Sequence, residues 1–123
     1  ICDLFYKPCP FNYAILYSYK LKNIISVAAV DNNGELMPFS NYGRNSIDIA
    51  APGKSIYSTL PHNTYGFMSG TSQATAFITG MLARLILKNN LRKPQEMLVD
   101  LLATGIFNKS LKNKTKFQLV LMQ

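Results

Sequence analysis

The sequence predicts an α/β fold in which a mostly parallel sheet packs against one deeply buried helix, and three stretches carry the prediction. Ile24-Ile25-Ser26-Val27-Ala28-Ala29-Val30 is β-branched and almost continuously apolar, the composition of a strand buried on both faces. Ile47-Asp48-Ile49-Ala50 reads as a second, shorter strand stopped by Ala51-Pro52-Gly53, since Pro-Gly is a strong turn marker. From Ala74 to Leu87 the residues at nearly every helical angle are apolar, with Phe77, Ile78, Met81, Leu82, Leu85 and Ile86 prominent. A helix that is apolar nearly all round is a buried one.

Each element follows in chain order. Residues 1–22 are rich in Tyr, Phe and Pro without a steady period and read as irregular. The strand over 24–30 ends at Asp31-Asn32-Asn33-Gly34, a turn cluster. A loop through Phe39-Ser40-Asn41-Tyr42-Gly43 leads to the second strand. Ser55 to Leu60 and Tyr65 to Ser69 then form a β-hairpin around Pro61-His62-Asn63-Thr64. Gly70 ends the hairpin, and the buried helix runs from about Thr71 to Lys88, with Lys88-Asn89-Asn90 as its polar stop. Gly80 inside that helix costs about 1 kcal/mol relative to Ala, which predicts close approach of another backbone. Pro94 opens a second, superficial helix whose Met97, Leu98, Leu101 and Leu102 share one face before Gly105. Asn108 onward reads as a Lys/Asn-rich linker, followed by a strand from Phe117 to Met122.

Length and charge narrow the function classes. With 123 residues the chain fits one modest domain, and no apolar run approaches the roughly 20 residues of a membrane span. It begins at Ile1 rather than Met, without the basic-then-apolar order of a signal peptide, which reads as a processed or truncated product and leaves the compartment open. Thirteen Lys/Arg against six Asp/Glu give +7, and eight of the basic residues lie from Arg84 onward. They accompany neither zinc-ligand spacing nor an aromatic RNA-binding motif, so a solvated basic surface is expected rather than a nucleic-acid site. Cys2 and Cys9 are close enough for a small disulfide loop and equally compatible with a free buried pair.

The chemistry concentrates in Ser69-Gly70-Thr71-Ser72-Gln73-Ala74, where a strand ends in glycine and a serine opens the buried helix. A helix N-terminus offers unpaired N–H groups and about half a positive charge, both suited to an oxyanion forming beside a serine Oγ. By itself Gly-Thr-Ser is more simply a helix cap. The surrounding sequence changes that reading, because Gly70, Thr71, Ser72, Ala74 and Gly80 fall in the register of the Gly-Thr-Ser-x-Ala motif. The segment resembles the serine motif of the subtilisin-like serine peptidases (subtilases). The resemblance extends upstream, in the family's order, through Asn23 to Ala29, Phe39 to Gly43, Asp48 to Gly53 and Ile56 to Leu60, and covers about residues 23–104. It departs at Gln73, Ala76 and Phe77, where the family commonly has Met, Pro and His, and the family's glycine-bearing strand is not recognisable in Lys112 to Gln123.

The resemblance implies that residues 1–123 are a partial subtilisin-like peptidase domain, the serine-bearing C-terminal part, in which Ser72 attacks the peptide bond of a peptide or protein substrate. It implies no required cofactor, leaves calcium open, and points to a secreted or extracytoplasmic setting. A serine hydroxyl needs a base oriented by a carboxylate, and in the subtilisin order both precede it in the chain. His62, the one histidine, lies in the hairpin turn with a whole strand before Ser72, and is expected to be a solvated turn residue. Asp31, Asp48 and Asp100 read as surface or capping carboxylates. No Ala-Gly-Asn for the family's oxyanion amide occurs before Asn23, so Asn12 and Asn23 remain loop candidates. The triad Asp and His are therefore expected in a missing N-terminal part of the same domain, and the 123 residues alone are expected to be inactive. The alternative is a degenerate, non-catalytic subtilisin-like interaction module.

Overall fold

Parallel pairing organises the main sheet. In the computed structural model, which describes residues 23–90 and 93–122, β1 (Val27–Val30) runs beside β2 (Ile49–Pro52) in the register Val27↔Ile49 to Val30↔Pro52. Strands β3 (Ile56–Leu60) and β4 (Thr64–Met68) form a separate antiparallel hairpin. Helix α1 (Thr71–Asn89) and helix α2 (Pro94–Ala103) follow. The short strands β5 (Ile106–Phe107) and β6 (Leu119–Val120) flank a 3-10 turn at Lys109–Leu111. β6 joins β2 in parallel and β5 antiparallel, giving the order β1-β2-β6-β5. The mostly parallel sheet of the sequence prediction is thus present, with one antiparallel edge.

The two faces of this sheet are covered differently. On one face Ala29, Ile49, Ala51 and Leu121 meet Ala74 and Ile78 of α1 and Leu101 of α2, all buried. On the other, Ala28, Val30, Ala50 and Val120 pack with Ile47 and with Leu111 from the 3-10 turn. Ala28, Ala29 and Val30 are fully buried, as a strand covered on both faces requires. The small alanines of β1 and β2 let α1 come close, and burial of Ile78 against them stabilises the pair by about 1.5–3 kcal/mol.

Several expectations are corrected. The first strand begins at Val27 rather than Ile24, because its partner begins at Ile49 and the Asp48 carboxylate, at 2.9 Å, accepts from the Ser26 N–H just before pairing starts. The hairpin turn is one residue tighter than expected, since Thr64 pairs with Leu60, and His62 and Asn63 within it both take left-handed backbone. Helix α1 is not buried all round. Only Ala74 and Ile78 are fully shielded, while Ala76, Ala83 and Leu87 are exposed, because sheet and α2 lie against a single side of it among the described residues. Gly80 is exposed as well, with open space where a β-carbon would stand, so no backbone approaches it among those residues. The expected linker contains fully buried Leu111 and Thr115, and the expected strand Phe117 to Met122 contracts to Leu119–Val120, pinned by the pairings of β6 to β2 and β5. Cys2, Cys9 and Asn12 lie outside the described residues.

Other readings agree with the structure. α1 ends on Asn90 in the left-handed conformation, a residue suited to that role after glycine. α2 has Pro94 in its first turn and buries Leu101, with Val99 outward. No helix among the described residues is long and apolar enough to cross a membrane.

Candidate active site

Ser72 sits at the carboxyl end of the parallel strands. The path is short: β2 ends at Pro52, Gly53 donates its N–H to the Val30 carbonyl at 2.9 Å, and the Gly53 carbonyl in turn accepts from Gly70 N–H at 2.8 Å. That bond ties the start of α1 to the end of β2. It requires glycine at 53, since a β-carbon there would stand 2.6 Å from Ala29 Cβ and 2.7 Å from the Gly70 oxygen. Crevices at the carboxyl end of parallel strands are where open α/β sheets place ligands.

The helix start is uncapped. Gly70 is the N-cap, in extended backbone, with no side-chain cap bond and no acidic residue in the first turn. The simpler reading of Thr71 or Ser72 as a cap is thereby set aside. The first hydrogen bond into the helix is Ala74 N–H to the Gly70 carbonyl at 3.3 Å, and the Thr71, Ser72 and Gln73 N–H groups have no acceptor among the described residues. Ser72 itself is exposed and its hydroxyl makes no hydrogen bond there. An exposed hydroxyl beside unpaired helix N–H groups is an arrangement that can present a nucleophile and receive the negative charge its attack creates.

Neighbouring side chains hold this corner without occupying it. Ser69 Oγ accepts from Ser55 N–H at 2.8 Å, joining the two ends of the hairpin at its base. Thr75 Oγ1 donates to the Thr71 carbonyl at 2.9 Å, stiffening the first turn, and Gln73 Nε2 lies 3.9 Å from Met68 Sδ. Sequence reasoning missed Ser69 as an anchor; its signal was the polar residue closing a strand directly before the glycine. It also took Gly53 for a turn marker, whereas its larger role is the close contact with Gly70.

The other candidates are dispersed. His62 is exposed at the hairpin tip, and β4 separates it from Ser72 by five residues of strand, roughly 16 Å of extended chain. Asp31 is tied in its turn, accepting from Asn33 and Glu35 N–H groups at 2.9 and 3.0 Å. Asp48 is half-buried rather than superficial, but its carboxylate serves the Ser26 N–H at the opposite end of the strands from Ser72. Asp100 does not simply face water; it accepts from Asn89 Nδ2 at 2.8 Å and links the end of α1 to α2. Asn23 precedes β1 and so also lies at the end away from Ser72. No cluster of three or more His, Cys, Asp or Glu able to hold a metal occurs among the described residues.

Comparison with known proteins identifies the family. The model of the subtilase family matches residues 9–118, and the chain belongs to that family. Subtilisin-like protease 3 of Plasmodium falciparum is 38% identical over 125 residues, covering 94% of this chain and 16% of that protein. Thermitase of Thermoactinomyces vulgaris is 46% identical over 74 residues, covering 60% of this chain and 25% of its own length. Among solved structures, a cold adapted subtilisin-like serine proteinase superposes with a TM-score of 0.74 at 26% identity, over 85% of this chain and 38% of that one. The chain therefore spans well under half the length of these relatives.

Proposed function

We propose that this chain contributes the nucleophile of a subtilisin-like serine endopeptidase, with Ser72 as the catalytic serine. The observation that supports this reading most directly is the exposed Ser72 at an uncapped helix start, its own N–H unpaired, at the carboxyl end of the parallel strands. In the reaction Ser72 Oγ bonds to the scissile carbonyl carbon and passes its proton to a base, with the Ser72 N–H donating to the oxyanion. The C–N bond then breaks, the base protonates the leaving amine, and water releases the acyl group.

The base and its carboxylate come from polypeptide outside these 123 residues, because His62 is the chain's one histidine and lies at the hairpin tip. That polypeptide, the remainder of a subtilase domain, packs on the exposed side of α1, where Ala76, Gly80, Ala83 and Leu87 stand open. Peptides and proteins are the substrates, and neither a metal nor an organic cofactor takes part in the bond cleavage.

A fluorophosphonate probe followed by peptide mapping tests the proposal. No labelling of Ser72 is expected in the isolated 123 residues. Labelling is expected when the chain forms part of a polypeptide that supplies the Asp and His, and there Ser72→Ala is expected to lower kcat about 10⁶-fold, the size of the loss for the catalytic serine of subtilisin. An unlabelled Ser72 in a polypeptide carrying both partners would instead favour a non-catalytic interaction module.

A further inference from the structure

The C-terminal segment of the chain concentrates positive charge on a rigid support. No acidic residue follows Asp100, and Lys109, Lys112, Lys114 and Lys116 fall within eight positions. A run this basic is usually a loose tail, but here the backbone is pinned. Leu111 and Thr115 are fully buried between the lysines. Asn108 Nδ2 donates to the Gly34 carbonyl at 2.9 Å, Lys114 N–H to the Leu111 carbonyl at 2.9 Å, and Lys116 N–H to the Ile47 carbonyl at 2.8 Å. Lys109, Lys112 and Lys116 are exposed and Lys114 half-exposed, and none forms an ion pair among the described residues. The carboxylate closest along the backbone network, Asp48, is engaged by the Ser26 N–H.

Directly before the lysines lies the outer strand β5. Its two side chains, Ile106 and Phe107, are 57% and 65% exposed and, as successive strand residues, stand on opposite faces of this sheet edge. The exposed Phe107 on a sheet edge, followed by lysines that form no ion pair among the described residues, although Lys116 Nζ lies 5.1 Å from the Phe117 ring centroid, combines the two signals that hold a protein on an anionic bilayer: an apolar side chain for the interface and ammonium groups for the surface potential. Lysine rather than arginine suits a diffuse field better than a bidentate site. The ledge is joined to residues 43–48, before β2, and through Asn108 and Ser110 to the Gly34 carbonyl, after β1.

We infer that the ledge formed by β5 and residues 109–116 adsorbs to membranes rich in anionic phospholipid. The test is co-sedimentation of the full chain with phosphatidylcholine vesicles and with vesicles of phosphatidylcholine and phosphatidylserine at 70:30, at low and at physiological salt. Preferential sedimentation with the anionic vesicles, weakened by salt, is expected. The double variant Lys109→Gln/Lys112→Gln is expected to lower the partition coefficient about 25-fold, at about five-fold per lysine. Lys88→Gln/Lys93→Gln removes the same charge from the helical side of the sheet and is expected to change it less than three-fold, which separates a local site from net charge. Phe107→Ser is expected to weaken partitioning to anionic vesicles several-fold without abolishing its salt dependence. Circular dichroism of each variant checks that the fold is kept. Equal loss from both double variants, no preference for phosphatidylserine, or binding to a DNA duplex in place of vesicles would each overturn the proposal.

Discussion

Both sides of α1 carry apolar residues, but their environments are opposite, and the outward side intersperses its apolar residues with Thr75, Thr79, Arg84 and Lys88. Ala74 and Ile78 are closed against β1, β2 and α2, whereas Ala76, Ala83 and Leu87 are open, Leu87 to 85% of its surface. Apolarity along a sequence records that a surface is to be covered, but it does not say by what. Here one side is covered within the described residues and the other is not. The proposed function supplies the reason, since a chain that spans 38% of a related solved domain leaves room for the rest to pack on α1.

The largest effect that sharpens this contrast is on stability. Ile78→Ala removes a buried side chain from the joint between helix and sheet and is expected to destabilise the chain by about 2–5 kcal/mol in urea unfolding, whereas Leu87→Ala should stay within about 0.5 kcal/mol. In a longer subtilase polypeptide the Leu87 change should become costly as its surroundings close. Equal, large losses at both positions in the 123 residues would break the contrast.

Next in size is the joint that carries Ser72. Gly53→Ala puts a β-carbon against Ala29 Cβ and the Gly70 carbonyl, both of them parts of closely packed backbone regions rather than flexible side-chain ends. An overpacking cost of about 1–3 kcal/mol is expected, together with weaker fluorophosphonate labelling of Ser72 in the longer polypeptide. Retained stability and labelling would show that Gly53 does not fix the site.

The same physics explains what could be read from the sequence. The β-branched run at β1, the hairpin and the Gly-Thr-Ser start of α1 are local signals, decided within a few residues, and the structure keeps each of them with shifts of at most three positions, whereas Ala51 and Pro52, read as the stop of the second strand, lie within β2. The position of Ser72 at a helix start was legible for that reason. That the one histidine stands apart from it was legible too, from the strand that separates His62 from the serine. The C-terminal segment was not legible, because β5 and β6 are two residues each and depend on pairing with β2, while Leu111 and Thr115 are buried by contacts made far along the chain. The exposed side of α1 was misread because periodicity counts apolar residues, not neighbours.

Gly80 gives the smallest and most discriminating effect. Inside a helix, alanine is preferred over glycine by about 1 kcal/mol, provided that nothing occupies the space its methyl group needs. Among the described residues that space is empty, so Gly80→Ala in the 123 residues is expected to raise stability by about that amount, read as a higher urea midpoint with an unchanged slope. In the longer polypeptide the sign should reverse if a backbone seats against α1 at this glycine, because the methyl group would then hold the two surfaces apart and loosen the packing that positions Ser72. Thermal unfolding of the wild-type and variant proteins in both lengths compares the two cases directly. A gain in both would show that Gly80 stays open in the assembled domain and that the remainder packs elsewhere; a loss in the short chain would place a neighbour on Gly80 from beyond the described residues.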